Sequence, residues 1–474
     1  MNVIRLGILT AAWAAMATPL GSPLAAAERT SAAAERTALS LTVYGNGLAL
    51  VKDHRPVELS LGLNNLMIGG VSPQMVSDSL DLGFGKGVRV LTRTLRPANL
   101  NPRSLLAAHL GKPVRLIRTH PETGAETAHE ATIVSVDGGV IARIGGQLVS
   151  NPEGRWAFPS LPGHLRADPV LAVAAESAEA GGRNLRLRYL TGGLDWRAAY
   201  TARWDKGAGK LRLAAWAALK NKAAIDFDNA SVSVVAGQVR RVSSPSRPVA
   251  RGAVMMKTEA AMADASAPVR QAIAGYHLYT LPQAVNLKRG EEVQAALLAP
   301  LTVDVKRELV SDGHPAVFGR VRGGGDRPRH PALRLSFTNP KDDRGQPLPA
   351  GTVRLYGKDA AGAARFLGED RMGDVPLGGR VNLTAGQAFD VTVKRRQTDF
   401  RREDRNRFEA AFHVELANGG TEPETVKIVE TVPGDWRLLD SDQPHTRENN
   451  QAVWRITVPA RGGTAFSYRV QVRN

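Results

Sequence analysis

The chain has 474 residues, 43% hydrophobic and only 5% aromatic, with 47 Gly, 28 Pro and no Cys. That length is several domains' worth and carries enough apolar residues for several cores. The missing Cys excludes disulfides, thiolate metal sites, a cysteine nucleophile and cysteine lipidation. The formal charge is +17, from 62 basic and 45 acidic residues, and a surface of that sign attracts anions: nucleic acid, anionic lipid heads or acidic glycans.

The first element is an address. Arg5 supplies a positive start, Leu6–Leu20 is an apolar stretch, Pro19, Gly21 and Pro23 interrupt it, and Ala25-Ala26-Ala27 offers small residues for cleavage. This is the pattern of a secretory signal peptide over residues 1–27. The hexamer AAAERT at Ala25–Thr30 recurs at Ala32–Thr37, so a second cleavage option lies after Ala34. No later run has the length of an uninterrupted transmembrane span. The expectation is an exported, periplasmic protein with no membrane span after signal removal, for which nucleic acid is not a partner.

Period-two alternation then dominates. Leu185, Leu187 and Tyr189 alternate with Arg186 and Arg188, and the same holds for Phe412, Val414 and Leu416, for Trp454, Ile456 and Val458, and for Phe466, Tyr468, Val470 and Val472. Gly, Pro, Asn and Asp bound the runs. The fold class is all-β: serial, immunoglobulin-like β-sandwich modules with a small SH3-like barrel near the N-terminus. Helical periodicity is confined to Pro102–Leu110 and a second stretch, Ala167–Ala180.

In chain order we expect a strand-rich unit over 38–100, the small β-barrel over 101–150 and a Pro- and Ala-rich connector over 151–183. A sandwich follows over 184–300, with a disordered insert at 243–275. A further sandwich occupies 301–387, and an immunoglobulin-like module occupies 388–474. The barrel rests on short strands around Val114–Arg118, Ala131–Val136 and Val140–Ile144, with a hairpin turn at Asp137-Gly138-Gly139.

The search for chemistry finds little. Gly85-Lys86, Gly111-Lys112 and Gly357-Lys358 are followed by Gly87, Pro113 and Asp359, so no Walker-type phosphate cradle forms. Gly83-Phe84-Gly85 opens no helix. His129-Glu130 has no second His one turn on, and no Ser stands in a G-x-S-x-G elbow. Ten His are scattered singly; His277, His330 and His413 could meet only in three dimensions, and lone imidazoles are the simpler reading. Asp342-Asp343 and Glu369-Asp370 read as turn residues rather than as the two carboxyls of a glycosidase. No cofactor, metal or catalytic residue is assigned.

Two features remain. Trp196, Tyr200 and Trp204 are spaced by four and share one strand face with Ala198 and Ala202, while Arg197, Ala199, Thr201 and Arg203 form the other. The aromatic face reads as core rather than as a platform for sugars. Lys394–Arg407 holds seven basic residues and three acidic ones. It reads as a charged connection between two modules, with Arg395, Arg396, Arg401 and Arg402 as a candidate site for an anion, since planar guanidinium forks suit phosphate and acidic glycan alike. The competing reading is a solvated face with internal ion pairs.

Five blocks, in order, resemble a bacterial family known only as domain of unknown function 4139, a domain that also forms the C-terminal part of the mucoidy-inhibitor proteins. They are Tyr189–Trp204 (YLTGGLDWRAAYTARW), Ala236–Val242 (AGQVRRV), Tyr276–Leu298 (YHLYTLPQAVNLKRGEEVQAALL), Leu348–Tyr356 (LPAGTVRLY) running on to Phe366–Glu369 (FLGE), and Val432–Leu438 (VPGDWRL). Residues 151–182 are too few for the long helical hairpin of those longer relatives, and Asp195 stands where a Ser or similar polar residue is expected. The resemblance covers about Asn184 to Val472. It implies an exported, mostly β protein and carries over no catalytic residue. The function expected is a non-catalytic binding or scaffold protein of the bacterial envelope, with an envelope protein or anionic glycan as partner. The alternative is an envelope hydrolase whose site assembles from distant residues.

Overall fold

The computed structural model describes residues 28–237, 270–273, 275–313, 318, 327–359 and 361–473. The expected signal segment, and the insert at 243–275 apart from 270–273 and Gly275, lie outside these residues. Among the described residues the regular secondary structure is almost entirely strand, with one α-helix at Pro102–Ala108. The helix starts where it does because Asn101 and Ser104 cap it reciprocally, side chain to backbone at 3.0 Å each way, with a proline at its first turn.

The described chain divides into two compact units. The first takes residues up to Thr37 together with His54–Pro73 and Asp81–Leu187. One of its sheets has the order Glu28–Ser31, Gly62–Gly69, Val170–Ser177, Val88–Arg96, the first pair parallel and the others antiparallel. The second is a five-stranded path: Gln147–Ser150, Ile141–Ile144, Glu126–Ser135, Pro113–Thr119, Arg155–Ala157. Its small core is Val114, Ala131 and Ile133, with Leu106 of the helix and Trp156 packed on them. Among the described residues no ladder joins the two ends of this path, so the strands expected for a barrel are present as a sheet.

Two expectations for this unit change. Residues 151–183 are not merely a connector, because they hold Arg155–Ala157 and Val170–Ser177. The second strand also replaces the helix expected at Ala167–Ala180. Its sequence, VLAVAAES, is rich in helix-favouring Ala, but it is hydrogen-bonded on both sides, to Gly62–Gly69 and to Val88–Arg96. Ladder pairing overrides so weak a local preference.

The second unit comprises Ala38–Asp53, Gln74–Leu80 and residues from Arg188 onward. One sheet, to which it gives the greater part, runs Arg270–Ile273, Tyr276–Thr280, Phe227–Ala236, Ala38–Val43, Leu48–Leu59, Gly181–Gly192, Asp81–Gly83. Another runs Glu292–Asp304, Lys210–Asn221, Leu194–Asp205, Gly351–Lys358, Ala364–Met372. Two more form the C-terminal sandwich. One is Arg380–Gln387, Ala332–Thr338, Lys306–Asp312, Glu424–Glu430, Gln451–Val458, Thr446–Glu448; the other is Val391–Arg402, Arg407–Asn418, Gly462–Arg473, Asp435–Ser441.

The sandwich core follows directly from alternation. Phe408, Ala410, Phe412, Val414 and Leu416 meet Phe466, Tyr468, Val470 and Val472 from the same sheet, and Val426, Ile428, Trp454 and Ile456 from the facing one. Each large apolar side chain so buried contributes about 1.5–3 kcal/mol. Residues 388–474 hold seven strands, but they do not close a module alone. Their strand Glu424–Glu430 pairs in parallel with Lys306–Asp312, and Leu309 enters the same core. The intervening hairpin of Gly351–Lys358 and Ala364–Met372 instead extends the sheet built on Leu194–Asp205.

Candidate functional site

The charged run Lys394–Arg407 is not a connection between modules. Most of it is the strand Val391–Arg402, at the end of its sheet, and the rest is the tip of the hairpin to Arg407–Asn418. A register shift between Gln397 and Asp399 governs its geometry. Arg396 lies opposite His413, and Arg401 opposite Glu409. His413 and Glu409 are four apart on an unbroken partner strand, so Arg396 and Arg401 share the outer face. Without the bulge, residues five apart would point to opposite faces.

Arg395 points the other way. It is buried, its Nε donates to Glu430 Oε1 at 2.5 Å, and its terminal nitrogens donate to Ser311 Oγ at 3.2 Å and Ser311 O at 3.0 Å. Glu430 and Ser311 belong to the facing sheet, so this ion pair ties the two layers. Tyr468 is buried nearby, and burial, then the Glu430 carboxylate, push its hydroxyl well above the ordinary phenol range. Arg395 is therefore committed to the fold. The signal was the parity of Val391, Val393 and Arg395.

The remaining charges of the run can be accounted for one by one. Lys394 pairs with Glu415 at 3.4 Å, and Arg407 with Glu403 at 3.7 Å. Asp399 is held by Arg469 at 2.8 Å, and that guanidinium keeps its carboxyl below the usual range. Asp404 Oδ1 accepts the backbone N–H of Asn406 in the turn. All three acids are engaged, while Arg396, Arg401, Arg402 and Arg405 are exposed and have no ion pair among the described residues. The hairpin thus presents four guanidinium groups to solvent, of which Arg401 also acts on the Asp399 carboxylate.

The other residues singled out are dispersed. Asp342 lies in a turn, its carboxylate bound by Arg344 at 2.7 Å. Glu369 and Asp370 are in a strand, not a turn: Glu369 pairs with Arg354 at 3.4 Å, while Asp370 Oδ2 accepts Thr384 N at 2.7 Å. His330 Nδ1 lies 3.1 Å from Ala388 O, and His413 Nδ1 lies 3.0 Å from Ser467 Oγ. Among the described residues no three metal-ligating side chains converge, and no helix is long and apolar enough to cross a membrane. A depression of about 490 Å³ is lined by Lys210, Asp304, Lys341, Asp342 and Arg344, and four of these charges already pair among themselves.

The described parts of the motif blocks serve packing; residues 238–242 of the second block lie outside the described residues. Tyr200 OH donates to Pro349 O at 2.6 Å and Tyr279 OH to Pro347 O at 3.1 Å, so two tyrosines from facing sheets hold one proline-bracketed segment. Burial, then Tyr279 and Asp374, push the Tyr200 hydroxyl far up. Trp196 Nε1 donates to Val235 O at 3.1 Å. Of the three aromatics expected in the core, Tyr200 is buried, whereas Trp196 and Trp204 are half-buried. Gly193 has φ of +81°, and a Cβ there would lie 2.8 Å from the backbone of Ala223, so only Gly fits the turn between Tyr189 and Trp196. A Cβ on Gly351 would run into the carbonyl of Ala198. In the last block, Trp436 Nε1 donates to Asn450 O at 2.9 Å beneath the Arg447 guanidinium, 4.5 Å from the ring centre.

These features define an all-β, multi-sheet protein whose distinguishing residues hold sheets and turns together. More particularly, the chain belongs to the family described as "Domain of unknown function (DUF4139)", whose model matches residues 185–474. No curated protein matches the chain.

Proposed function

We propose that this chain is an exported, periplasmic, non-catalytic binding or scaffold protein of the bacterial envelope, and that its hairpin 391–418 engages an anionic envelope partner. The observation that carries the reading is the charge accounting on that hairpin. Every acid of the run is engaged, one arginine is buried as an anchor, and Arg396, Arg401 and Arg402 are left in solvent. Such a basic strand end favours encounter with anions, an effect that fades as salt rises and the Debye length falls to about 8 Å. The N-terminal pattern supports export. Pairing of Glu28–Ser31 with Gly62–Gly69 favours cleavage after Ala27, since a cut after Ala34 would remove a paired strand.

The test is fractionation plus charge reversal. The mature chain should appear in the periplasmic fraction beginning at Glu28, and should sediment with envelope membranes at low salt. Arg396→Glu, Arg401→Glu and Arg402→Glu together should abolish that sedimentation while leaving the melting temperature within a few degrees. Sedimentation unchanged by the triple variant removes the hairpin from the reading. Release of reducing sugar ends from envelope glycan by the purified chain would favour the hydrolase.

A further inference from the structure

A second surface, independent of the hairpin, lies on the solvent face of the sheet built around Leu194–Asp205. In that sheet Arg203 is directly opposite Arg212 on the neighbouring strand. Arg212 has Thr302 on its other side; Arg203 has Tyr356, and Tyr356 has Phe366. One row across five strands therefore reads Thr302, Arg212, Arg203, Tyr356, Phe366, spanning roughly 19 Å at the usual strand spacing.

Two arginines directly opposite each other repel, with Cβ atoms about 4.5–5.5 Å apart, and such pairs destabilise a sheet unless a counter-charge sits between them. The nearby carboxylates are already in use. Asp205 accepts the N–H of Ala208 and pairs with Lys358 at 3.7 Å, Asp304 pairs with Lys210 at 2.7 Å, and Glu369 pairs with Arg354 at 3.4 Å. Arg203 and Arg212 are exposed and have neither ion pair nor hydrogen bond among the described residues. In the next row along the strands Thr201 and Ala214 are small, and beyond Thr201 that row continues with Arg354 and Glu369, which pair with each other. At the other end of the row Phe366 is 58% exposed, and its ring meets Tyr356 edge-on with centroids 5.7 Å apart.

We infer that this face binds an acidic polysaccharide, with a sugar carboxylate between Arg203 and Arg212 and a neighbouring sugar ring against Phe366. Two adjacent planar forks suit a carboxylate. The aromatic end favours a glycan over single-stranded nucleic acid, which needs a series of open ring faces for successive bases. Here the Tyr356 ring is half-buried against Phe366, and Trp216, also exposed on this face, lies two rows away beside Ala199, so the open rings are not a continuous series.

The experiment is calorimetric titration of the full mature chain with an oligogalacturonate at low salt, with a maltooligosaccharide as the neutral control. Binding of the acidic oligomer alone is expected. Arg203→Glu should weaken it by at least about tenfold and hold or raise the melting temperature, because the new carboxylate pairs with Arg212. Arg212→Glu should do the same from the other strand, and Phe366→Ala should weaken binding without a loss of fold. The hairpin triple variant should bind the oligomer as the parent does. The inference is overturned if Arg203→Glu binds unchanged, if the neutral oligomer binds equally well, or if no binding occurs. It is also overturned if a thymidine oligonucleotide or phosphatidylserine vesicles bind more tightly through the same arginines.

Discussion

Arg395 and Glu430 illustrate what one buried pair does to its surroundings. Each side chain alone would be a stranded charge; together, with Ser311 accepting from the guanidinium, their charges are paired across two sheets. Removing one partner of such a pair costs about 3–5 kcal/mol, while replacing both by apolar residues costs far less. Arg395→Met and Glu430→Leu should therefore each lower stability by about that amount, and the double variant should be more stable than either single one in urea denaturation. A second charge cluster sets an acid limit. Glu448 accepts from Lys427 and Arg455 at 2.8 Å each, and these hydrogen bonds bring its carboxyl from an ordinary 4.5 down to about 2. The folded state thus favours the charged form. Its contribution is complete above pH 4.5 and is lost as pH falls toward about 2. Glu448→Gln should flatten the decline of melting temperature across that window and leave stability there less dependent on acid.

At the scale of strands, sequence and structure can be compared element by element. Runs with one apolar face, such as Arg407–Asn418 and Gly462–Arg473, are legible because alternation and burial coincide along their whole length. Val170–Ser177 is not legible, because a strand largely buried on both faces needs no alternation and its alanines favour helix locally. Glu369-Asp370 misled because an acidic pair after Gly reads as a turn, although cross-strand partners make it a ladder position. For the candidate site, the basic residues were visible, but their division was not. Arg395 turns inward by strand parity, and the bulge at Gln397–Asp399 that brings Arg396 and Arg401 to one face leaves no mark in composition. The aromatic face of Leu194–Asp205 reads from its spacing as uniformly core, yet burial is graded along it. Tyr200→Ala should cost about 3–5 kcal/mol, as for other buried aromatics. Trp204→Ala should cost clearly less, because Trp204 sits near the strand end and keeps partial exposure. Equal losses in denaturant midpoint would place Trp204 in the core after all.

At the scale of the whole molecule, the portion matched by the family model does not contain all the strands of the sheets it helps to build. That portion begins at residue 185, but the strand Phe227–Ala236 inside it pairs in parallel with Ala38–Val43, from Ser231 opposite Ser40 to Val234 opposite Val43. Leu41 and Val43 are almost fully buried, as are Val232 and Val234. A fragment of residues 185–474 would lose that neighbour. It would expose one side of Phe227–Ala236 as an open edge with apolar side chains, the arrangement that recruits other chains. It would also lose Leu48–Leu59, which separates Ala38–Val43 from Gly181–Gly192 in the same sheet. We expect residues 185–474, produced alone, to aggregate or to bind a hydrophobic dye, with a broad, poorly cooperative unfolding transition. Residues 28–474 should remain monodisperse and unfold sharply. A substitution within the longer chain tests the same pairing without truncation: Leu41→Asp, which places a charge in the core beside Val232, should reproduce the loss of cooperativity. A 185–474 fragment that unfolds at the same temperature and as sharply as the longer chain would mean that the N-terminal strands decorate this sheet rather than complete it.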